Sequence, residues 1–155
     1  MHLEIERKFL VKGEYKSQAK SVIHIEQGYL CSVSARTVRV RIIGEKGFIT
    51  VKGESPDGGI SRFEWEKEIS ATEAKALLAL CEPGRINKNR YLIPVGNHVC
   101  EVDEFFDENA GLVLAEIELK RADEAFEKPD WLGIEVTGDL RYYNAMLVKQ
   151  PYTSW

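Results

Sequence analysis

The stretch HLEIERKFL, residues 2–10, is the part of the sequence that decides the fold. Apolar and charged side chains alternate along it, with Leu3, Ile5 and Phe9 at odd positions and Glu4, Glu6 and Lys8 at even positions. Because successive side chains of a β-strand point to opposite faces, this alternation predicts a strand with one apolar and one charged face. Two acids and a base on one face of one strand point to a shared task.

The composition is that of an ordinary globular protein. The chain has 155 residues, 44% hydrophobic and 30% charged, which supports one domain spanning residues 1–155. A net charge of −4 argues against non-specific nucleic-acid binding as the main activity. No apolar run reaches the roughly 18 residues needed to span a membrane. We therefore expect neither nucleic acid nor a membrane among the partners.

Cysteine usage predicts the compartment. The three cysteines, Cys31, Cys81 and Cys100, are an odd number without CxxC spacing. A disulfide framework or a zinc site is therefore not expected, and we interpret all three as buried small apolar residues. The N-terminus also lacks the basic-then-apolar order of a secretory signal. These features predict a cytoplasmic protein.

Hydrophobic periodicity predicts eight strands and one clear helix. The strands are expected at residues 2–11, 22–30, 36–43, 48–54, 61–69, 85–95, 98–106 and 112–121. The helix is expected over 70–81, with Ser70 as N-cap and Glu73 in the capping-box position. Residues 85–106 predict a hairpin, and residues 130–150 predict a loop followed by a short final helix. The predicted class is mainly β (α+β).

The charged residues of the predicted strands are sorted by sign. The third, fourth and sixth strands carry only bases on the charged face: Arg39, Arg41, Lys52, Lys88 and Arg90. The first, fifth, seventh and eighth strands are rich in acids there: Glu4, Glu6, Glu64, Glu66, Glu68, Glu101, Asp103, Glu116 and Glu118, with Lys8, Arg62 and Lys120 among them. A face exposed to water would be expected to mix the two signs.

Two arrangements could account for these charges. A flat antiparallel sheet often leaves one face in water, although charged residues are not favoured in strands. A closed or nearly closed barrel would instead turn the charged face inward and pack the apolar face outward against helices. Interior cations suit phosphate groups, and paired carboxylates suit a hard cation such as Mg²⁺ or Mn²⁺. The sorting therefore favours a barrel that binds a metal-bound chain of phosphates.

The motifs resemble those of a known family. Glu4-Ile5-Glu6-Arg7-Lys8 is similar to the ExExK signature of the CYTH superfamily, also called triphosphate tunnel metalloenzymes. Further motifs follow in family order: Arg39-Val40-Arg41, Lys52, Arg62-Phe63-Glu64-Trp65-Glu66, Lys88-Asn89-Arg90, Glu101-Val102-Asp103, Glu116-Ile117-Glu118 and the tail at 135–144. The resemblance covers essentially the whole chain.

This resemblance implies an eight-stranded antiparallel closed β-barrel with a charged lumen and helices packed outside. It implies a divalent metal, Mg²⁺ or Mn²⁺, bound by lumenal acids: Glu4, Glu6, Glu116 and Glu118, completed by Asp103 and one of Glu64 or Glu66. It implies phosphate binding by lumenal bases: Lys8, Arg39, Arg41, Lys52, Arg62, Lys88 and Arg90.

Phosphoryl transfer depends mainly on positioning and on neutralising charge. The attacking water needs a base, which could be Glu64, Glu66, Asp103 or a lysine of lowered pKa such as Lys88. Tyr29 resembles a family tyrosine near the lumen and could orient the leaving group or the base, or could simply be a packed strand tyrosine. We take Lys8, Tyr29 and Lys88 as the candidate catalytic residues.

The leading functional hypothesis is hydrolysis of inorganic tripolyphosphate, because the chain is short and shows no clear pocket for a nucleobase such as adenine. Three alternatives stay open: a class IV adenylyl cyclase, a thiamine or nucleoside triphosphatase, and a non-catalytic polyphosphate binder. The acids Glu4 and Glu6 argue against the last, since a pure anion binder gains nothing from them. The expected partner is a small-molecule triphosphate, and a homodimer is one open option.

Overall fold

The structure, a computed structural model, describes residues 2–155, with His2 described by its backbone only. Nine strands in this range form one sheet: β1 (His2–Val11), β2 (Ser21–Val33), β3 (Arg36–Ile43), β4 (Lys46–Gly53), β5 (Ser61–Ser70), β6 (Ile86–Val95), β7 (His98–Phe105), β8 (Val113–Glu118) and β9 (Leu132–Glu135). The α-helices are α1 (Ala71–Leu78) and α2 (Asn144–Leu147). Neither of these helices combines the length and the apolar character needed to cross a membrane.

The first eight strands close into an antiparallel barrel. Around the ring the order is β1–β5–β4–β3–β2–β6–β7–β8, and β8 returns to β1. The first half of β1 pairs with β5, as in Glu4 opposite Arg62, and its second half pairs with β8, as in Lys8 opposite Glu116. Directly opposed residues point to the same face, so this closure turns the charged face inward. The predicted eight-stranded barrel is confirmed.

The outer apolar face is covered in two ways. On one side, Ala74 and Leu78 of α1 pack against Val40 of β3. The predicted capping box is present, because the Ser70 side chain accepts from the Glu73 backbone N–H and the Glu73 side chain accepts from the Ser70 backbone N–H. On the side formed by β6, β7 and β8, residues 12–20 and 119–132 cover the sheet, and these segments contain no α-helix. The prediction of helices packed outside the barrel therefore holds for α1, whereas the side formed by β6, β7 and β8 is covered without an α-helix.

Several element bounds differ from the prediction. Residues Leu132–Glu135 form a ninth strand on the edge of β1 opposite Phe9 and Val11, an edge that β5 leaves free because it pairs only with residues 2–5. The helix predicted over 70–81 ends at Leu78, since the Glu82 N–H already bonds back to Tyr29 O of β2. The final helix α2 has only four residues. β2 extends over 21–33, and β8 ends at Glu118.

One end of the barrel interior is apolar. Ile86, Phe105 and Leu114 lie on inward-facing positions of β6, β7 and β8, and each is at most 2% exposed. Leu147 and Val148 of the C-terminal segment join the same cluster. The charged lumen therefore occupies only part of the barrel, and the C-terminal segment closes over the remainder.

This packing predicts unequal effects for two leucine truncations. Leu147 is fully buried and Leu80 is 74% exposed. We expect Leu147→Ala to lower the free energy of unfolding by about 3 kcal/mol through lost contacts and a cavity. Leu80→Ala should change it by less than about 0.5 kcal/mol. Chemical denaturation measures both, and equal losses would contradict the burial of α2 in the barrel end.

Candidate active site

The barrel encloses a cavity of about 260 Å³ lined almost entirely by polar side chains. Fourteen of the fifteen predicted site residues line it: Glu4, Glu6, Lys8, Tyr29, Arg39, Arg41, Lys52, Arg62, Glu64, Glu66, Lys88, Arg90, Glu116 and Glu118. The remaining one, Asp103, lies behind this lining. Strand register explains the convergence, because paired residues such as Lys52 and Glu64 share the inner face.

Lys52 joins two glutamates from neighbouring strands. Its Nζ donates to Glu4 Oε1 at 2.9 Å and lies 3.5 Å from Glu64 Oε2. Burial and a hydrogen bond with Glu4 raise the pKa of Glu64 to about 7. Burial also opposes ionisation of Glu4, but the Lys52 charge together with hydrogen bonds to Glu64 and Lys52 outweighs it, and the pKa of Glu4 is lowered. The two carboxyl groups therefore compete for one cation, and Glu4 holds the negative charge.

A second carboxyl pair joins β1 to β8. Burial and the nearby charge of Glu116 raise the pKa of Glu6 well above its usual value. Burial acts on Glu116 in the same direction, but the charge of Lys8 and a hydrogen bond with Glu6 hold the pKa of Glu116 well below its usual value. Lys8 Nζ lies 3.9 Å from Glu116 Oε1. Of the two, Glu6 is therefore the group that holds a proton more readily, and Glu116 the group that ionises more readily.

Two arginines of β3 share one carboxylate. Arg41 Nη2 donates to Glu66 Oε2 at 3.1 Å, and Arg39 Nη2 lies 3.8 Å from the same oxygen. The Nε atoms of both arginines are buried and have no hydrogen-bond partner. Burial and the neighbouring charge of Arg39 lower the pKa of Arg41 to about 10. Since buried donors are normally satisfied, these free N–H groups indicate a site for an anion.

Asp103 is surrounded by cations. Arg90 donates to it through Nε at 2.8 Å and Nη2 at 2.9 Å, and Lys88 Nζ lies 2.8 Å from Asp103 Oδ2. The side chains of Asp103 and Lys88 are 2% and 1% exposed. Burial lowers the pKa of Lys88 to about 8, although the Asp103 charge opposes this. Both carboxylate oxygens of Asp103 are therefore already paired with Arg90 or Lys88, two basic residues that line the cavity.

Tyr29 combines the two roles considered from the sequence, a tyrosine near the lumen and a packed strand tyrosine. It lines the cavity opposite Arg39 of β3, and it also belongs to the apolar cluster at the barrel end, where it is 5% exposed. Its position is therefore compatible with contact to a bound phosphate chain.

Several lining residues were not predicted as site residues: Thr37, Gly59, Glu101, Thr137, Gly138, Tyr143, Asn144 and Ala145. Glu101 lies on the charged face of its strand, so strand alternation could have found it. The members at 137–145 carry no such signal, because they reach the cavity from a segment without regular alternation. Gly138 has a φ of +81°, and a Cβ there would lie 2.1 Å from Gly58 O, so only glycine permits this contact.

The carboxyl pairs provide the chemistry expected of a divalent cation site. No cluster of three or more His, Cys, Asp or Glu side chains within residues 2–155 is arranged to enclose a metal ion. Mg²⁺ is commonly held by one or two carboxylates together with substrate phosphates and water. The pairs Glu4–Glu64 and Glu6–Glu116 offer such carboxyl groups, and a cation beside them would reduce the repulsion that raises the pKa values of Glu64 and Glu6.

These features define a class of protein: a closed antiparallel barrel whose inner cavity is lined by paired basic and acidic side chains. The family model described as CYTH domain matches residues 2–152 of the chain. The chain therefore belongs to the CYTH domain family, as its motifs predicted.

Relatives cover almost the full length. A protein of Acetivibrio thermocellus named inorganic triphosphatase is 51% identical over 157 residues, covering 100% of this chain and 99% of that protein. Another with the same name, from Nitrosomonas europaea, is 38% identical over 149 residues, covering 93% and 95%. The crystal structure of the inorganic triphosphatase NE1496 is 34% identical, covers 94% of this chain and 97% of its own, and has a TM-score of 0.67.

The position of Asp103 predicts a stability effect that does not require a metal ion. Asp103→Leu leaves the buried charges of Lys88 and Arg90 without their shared partner, and we expect the free energy of unfolding to fall by about 3 kcal/mol. Urea denaturation with a chelator measures this. The matched change Glu118→Leu, at an exposed lining residue, should cost less than about 0.5 kcal/mol. A loss for Asp103→Leu that appears only with added metal would identify Asp103 as a ligand instead.

The raised pKa of Glu6 predicts a pH-dependent gain in stability for Glu6→Gln. The folded chain holds the Glu6 proton more tightly than the unfolded chain, so stability falls as pH rises from the usual glutamate pKa toward the raised one. Gln removes this penalty. In metal-free protein we expect Glu6→Gln to raise the free energy of unfolding at pH 7 and to change it much less at pH 4. Equal changes at both pH values would show that Glu6 is not forced to hold a proton.

Proposed function

We propose that this protein is an inorganic triphosphatase that hydrolyses tripolyphosphate with a divalent metal ion. The supporting observation is the charge balance of the cavity, whose described lining contains seven basic and seven acidic side chains. The names of the two relatives at 51% and 38% identity agree with this activity.

The balance explains why both substrate and metal are needed. A triphosphate that binds the arginines and lysines must displace glutamates from them, as at Glu66 beside Arg41. A displaced carboxylate inside the barrel is costly unless another cation approaches it. A divalent ion on the carboxylates compensates for this loss, so that phosphates and metal bind together.

Three acids of the carboxyl pairs would hold the ion: Glu4, Glu6 and Glu116, with Glu66 and Glu118 at the more exposed side of the cavity. We propose Mg²⁺ or Mn²⁺, because both prefer oxygen ligands. The bound ion would supply positive charge to the phosphate oxygens. Asp103 is assigned a different role, since its oxygens are held by Lys88 and Arg90.

The basic residues would bind and orient the phosphate chain. Arg39 and Arg41 present free buried N–H groups, which favour phosphate oxygens. Lys52, Arg62 and Arg90 would neutralise the other phosphates. Lys8 faces the cavity between Glu116 and the Tyr143 ring, 4.8 Å from the ring centroid, and would stabilise charge that develops in the transition state.

Hydrolysis also needs a proton acceptor. Water forms a bond to a terminal phosphorus, the bridging P–O bond breaks, and the products are phosphate and pyrophosphate. Glu64, with a pKa of about 7, is the group best matched to accept the proton near neutral pH. Lys88 pairs with Asp103 and donates to Asn144, so it is assigned to bind phosphate as a cation. Tyr29 would orient the leaving pyrophosphate from its place opposite Arg39.

A substrate panel tests the proposed function. The protein is incubated with tripolyphosphate, ATP or thiamine triphosphate, each with Mg²⁺ or Mn²⁺, and phosphate, pyrophosphate and cyclic AMP are measured. We expect fast release of phosphate and pyrophosphate from tripolyphosphate. Cyclic AMP from ATP would indicate an adenylyl cyclase, and preference for thiamine triphosphate would indicate that activity. Tight binding without turnover would indicate a polyphosphate binder.

Single substitutions test the residues assigned to the site. Glu4→Ala, Glu6→Ala and Arg39→Ala should each lower metal-dependent kcat/KM for tripolyphosphate by roughly a hundredfold, the scale of lost transition-state electrostatics. Lys46→Ala, at an exposed position in the β3–β4 hairpin, is the control and should retain activity. Full activity of Glu6→Ala would end the assignment of a metal-binding carboxyl pair.

We also propose a cytoplasmic location. The three cysteines are free thiols, with Cys100 fully buried and Cys31 and Cys81 partly buried, a state suited to a reducing compartment. The homodimer stays a prediction.

A further inference from the structure

Three consecutive residues near the C-terminus contact the two lysines of the cavity. Lys8 Nζ donates to Tyr142 O at 3.3 Å and lies over the Tyr143 ring. Lys88 Nζ donates to Asn144 Oδ1 at 3.0 Å. Lys8 and Lys88 come from β1 and β6, which are not neighbours in the barrel. The segment 142–144 therefore links two distant parts of the site.

Asn144 is held in one orientation by its surroundings. Its Oδ1 accepts from Lys88 Nζ and also from Gln27 Nε2 at 3.3 Å. Both partners present N–H donors, so only the amide oxygen, and not the amide nitrogen, can face them. Gln27 is fully buried on the inner face of β2, and its Nε2 is the atom that faces Asn144.

The direction of the Lys88 ammonium group follows from these contacts. An ammonium group has three donors, and two of them are occupied by Asp103 Oδ2 at 2.8 Å and Asn144 Oδ1 at 3.0 Å. The Phe105 ring lies 5.4 Å from Nζ, and the cavity lies beside the group as well, because Lys88 lines it while being 1% exposed. With Asp103 alone, the flexible side chain could rotate about a single contact.

We propose that Asn144 is a positioning residue that directs the Lys88 ammonium group toward the bound phosphate chain. This inference rests on the proposed triphosphatase function for its kinetic consequence. The required property is the acceptor oxygen of the side chain. Shape alone would not suffice, because an apolar residue of equal size leaves two buried donors, on Lys88 and Gln27, without a partner.

Three variants separate the acceptor role from packing. Asn144→Leu keeps the size and removes the acceptor, whereas Asn144→Asp keeps the acceptor oxygen. Gln150→Leu is the matched control, since it makes the same amide-to-Leu change at an exposed position of the same segment. Steady-state kinetics with tripolyphosphate and Mg²⁺ give kcat and KM for each.

We expect Asn144→Leu to lower kcat by on the order of tenfold, with a smaller change in KM, because the reacting groups lose their alignment. Asn144→Asp should retain most of kcat, and Gln150→Leu should match the wild type. Wild-type kcat in Asn144→Leu would overturn the proposal. So would equal losses in Asn144→Leu and Asn144→Asp, since an acceptor oxygen at residue 144 would then not be the property that supports kcat.

A second readout does not depend on turnover. In protein with ¹⁵N-labelled lysine, a hydrogen-bonded buried ammonium group gives an NMR signal, and the Lys88 signal is identified by its loss in Lys88→Met. We expect this signal to disappear in Asn144→Leu and to persist in Asn144→Asp. An unchanged signal in Asn144→Leu would refute the contact. If the wild type failed to hydrolyse tripolyphosphate, the function would be wrong while this measurement still tested Asn144.

Discussion

Pairing between opposite charges inside the barrel is the interaction on which the site depends. Lysine and arginine side chains buried in a protein need a partner, since an isolated buried charge is strongly unfavourable. Here each partner lies on a different strand: Lys52 with Glu4, Arg41 with Glu66 and Arg90 with Asp103. A flat sheet would leave many of these charges in water. The barrel can therefore close only if its interior charges are paired, and the pairs form only when the barrel closes.

The charge pairing inside the barrel is incomplete, and this lowers the stability of the fold. Glu6 and Glu116 repel each other, Glu64 competes with Glu4 for Lys52, and two buried arginine Nε atoms have no partner. Each feature costs free energy, and a bound anion or cation of matching charge would reduce that cost. Active sites commonly sacrifice stability in this way. The surrounding apolar clusters, with Ile93 and Ile117 fully buried, supply the compensation.

The sequence predicted the barrel better than its C-terminal closure. Alternation in β1 through β8 gave both the strands and the inward charged face, because a period of two is visible in one sequence. The four residues of β9 and the four of α2 are too short to show a period. Asn144 gave no chemical signal, since its role comes from contacts with Lys88 and Gln27. Asp103 lies on the predicted inner face, but only the structure shows that it pairs with Arg90 and Lys88.

The shared strand β1 has a consequence for synthesis. Its early half pairs with β5 and its later half with β8 and β9, so contacts of Phe9 reach as far along the chain as Glu135. On a ribosome, β1 leaves the exit tunnel long before those partners exist. A nascent chain must therefore carry Glu4, Glu6 and Lys8 without their lumenal neighbours, and such distant pairing is slow to form. The lining of the cavity is completed only once residues 137–145 have emerged as well.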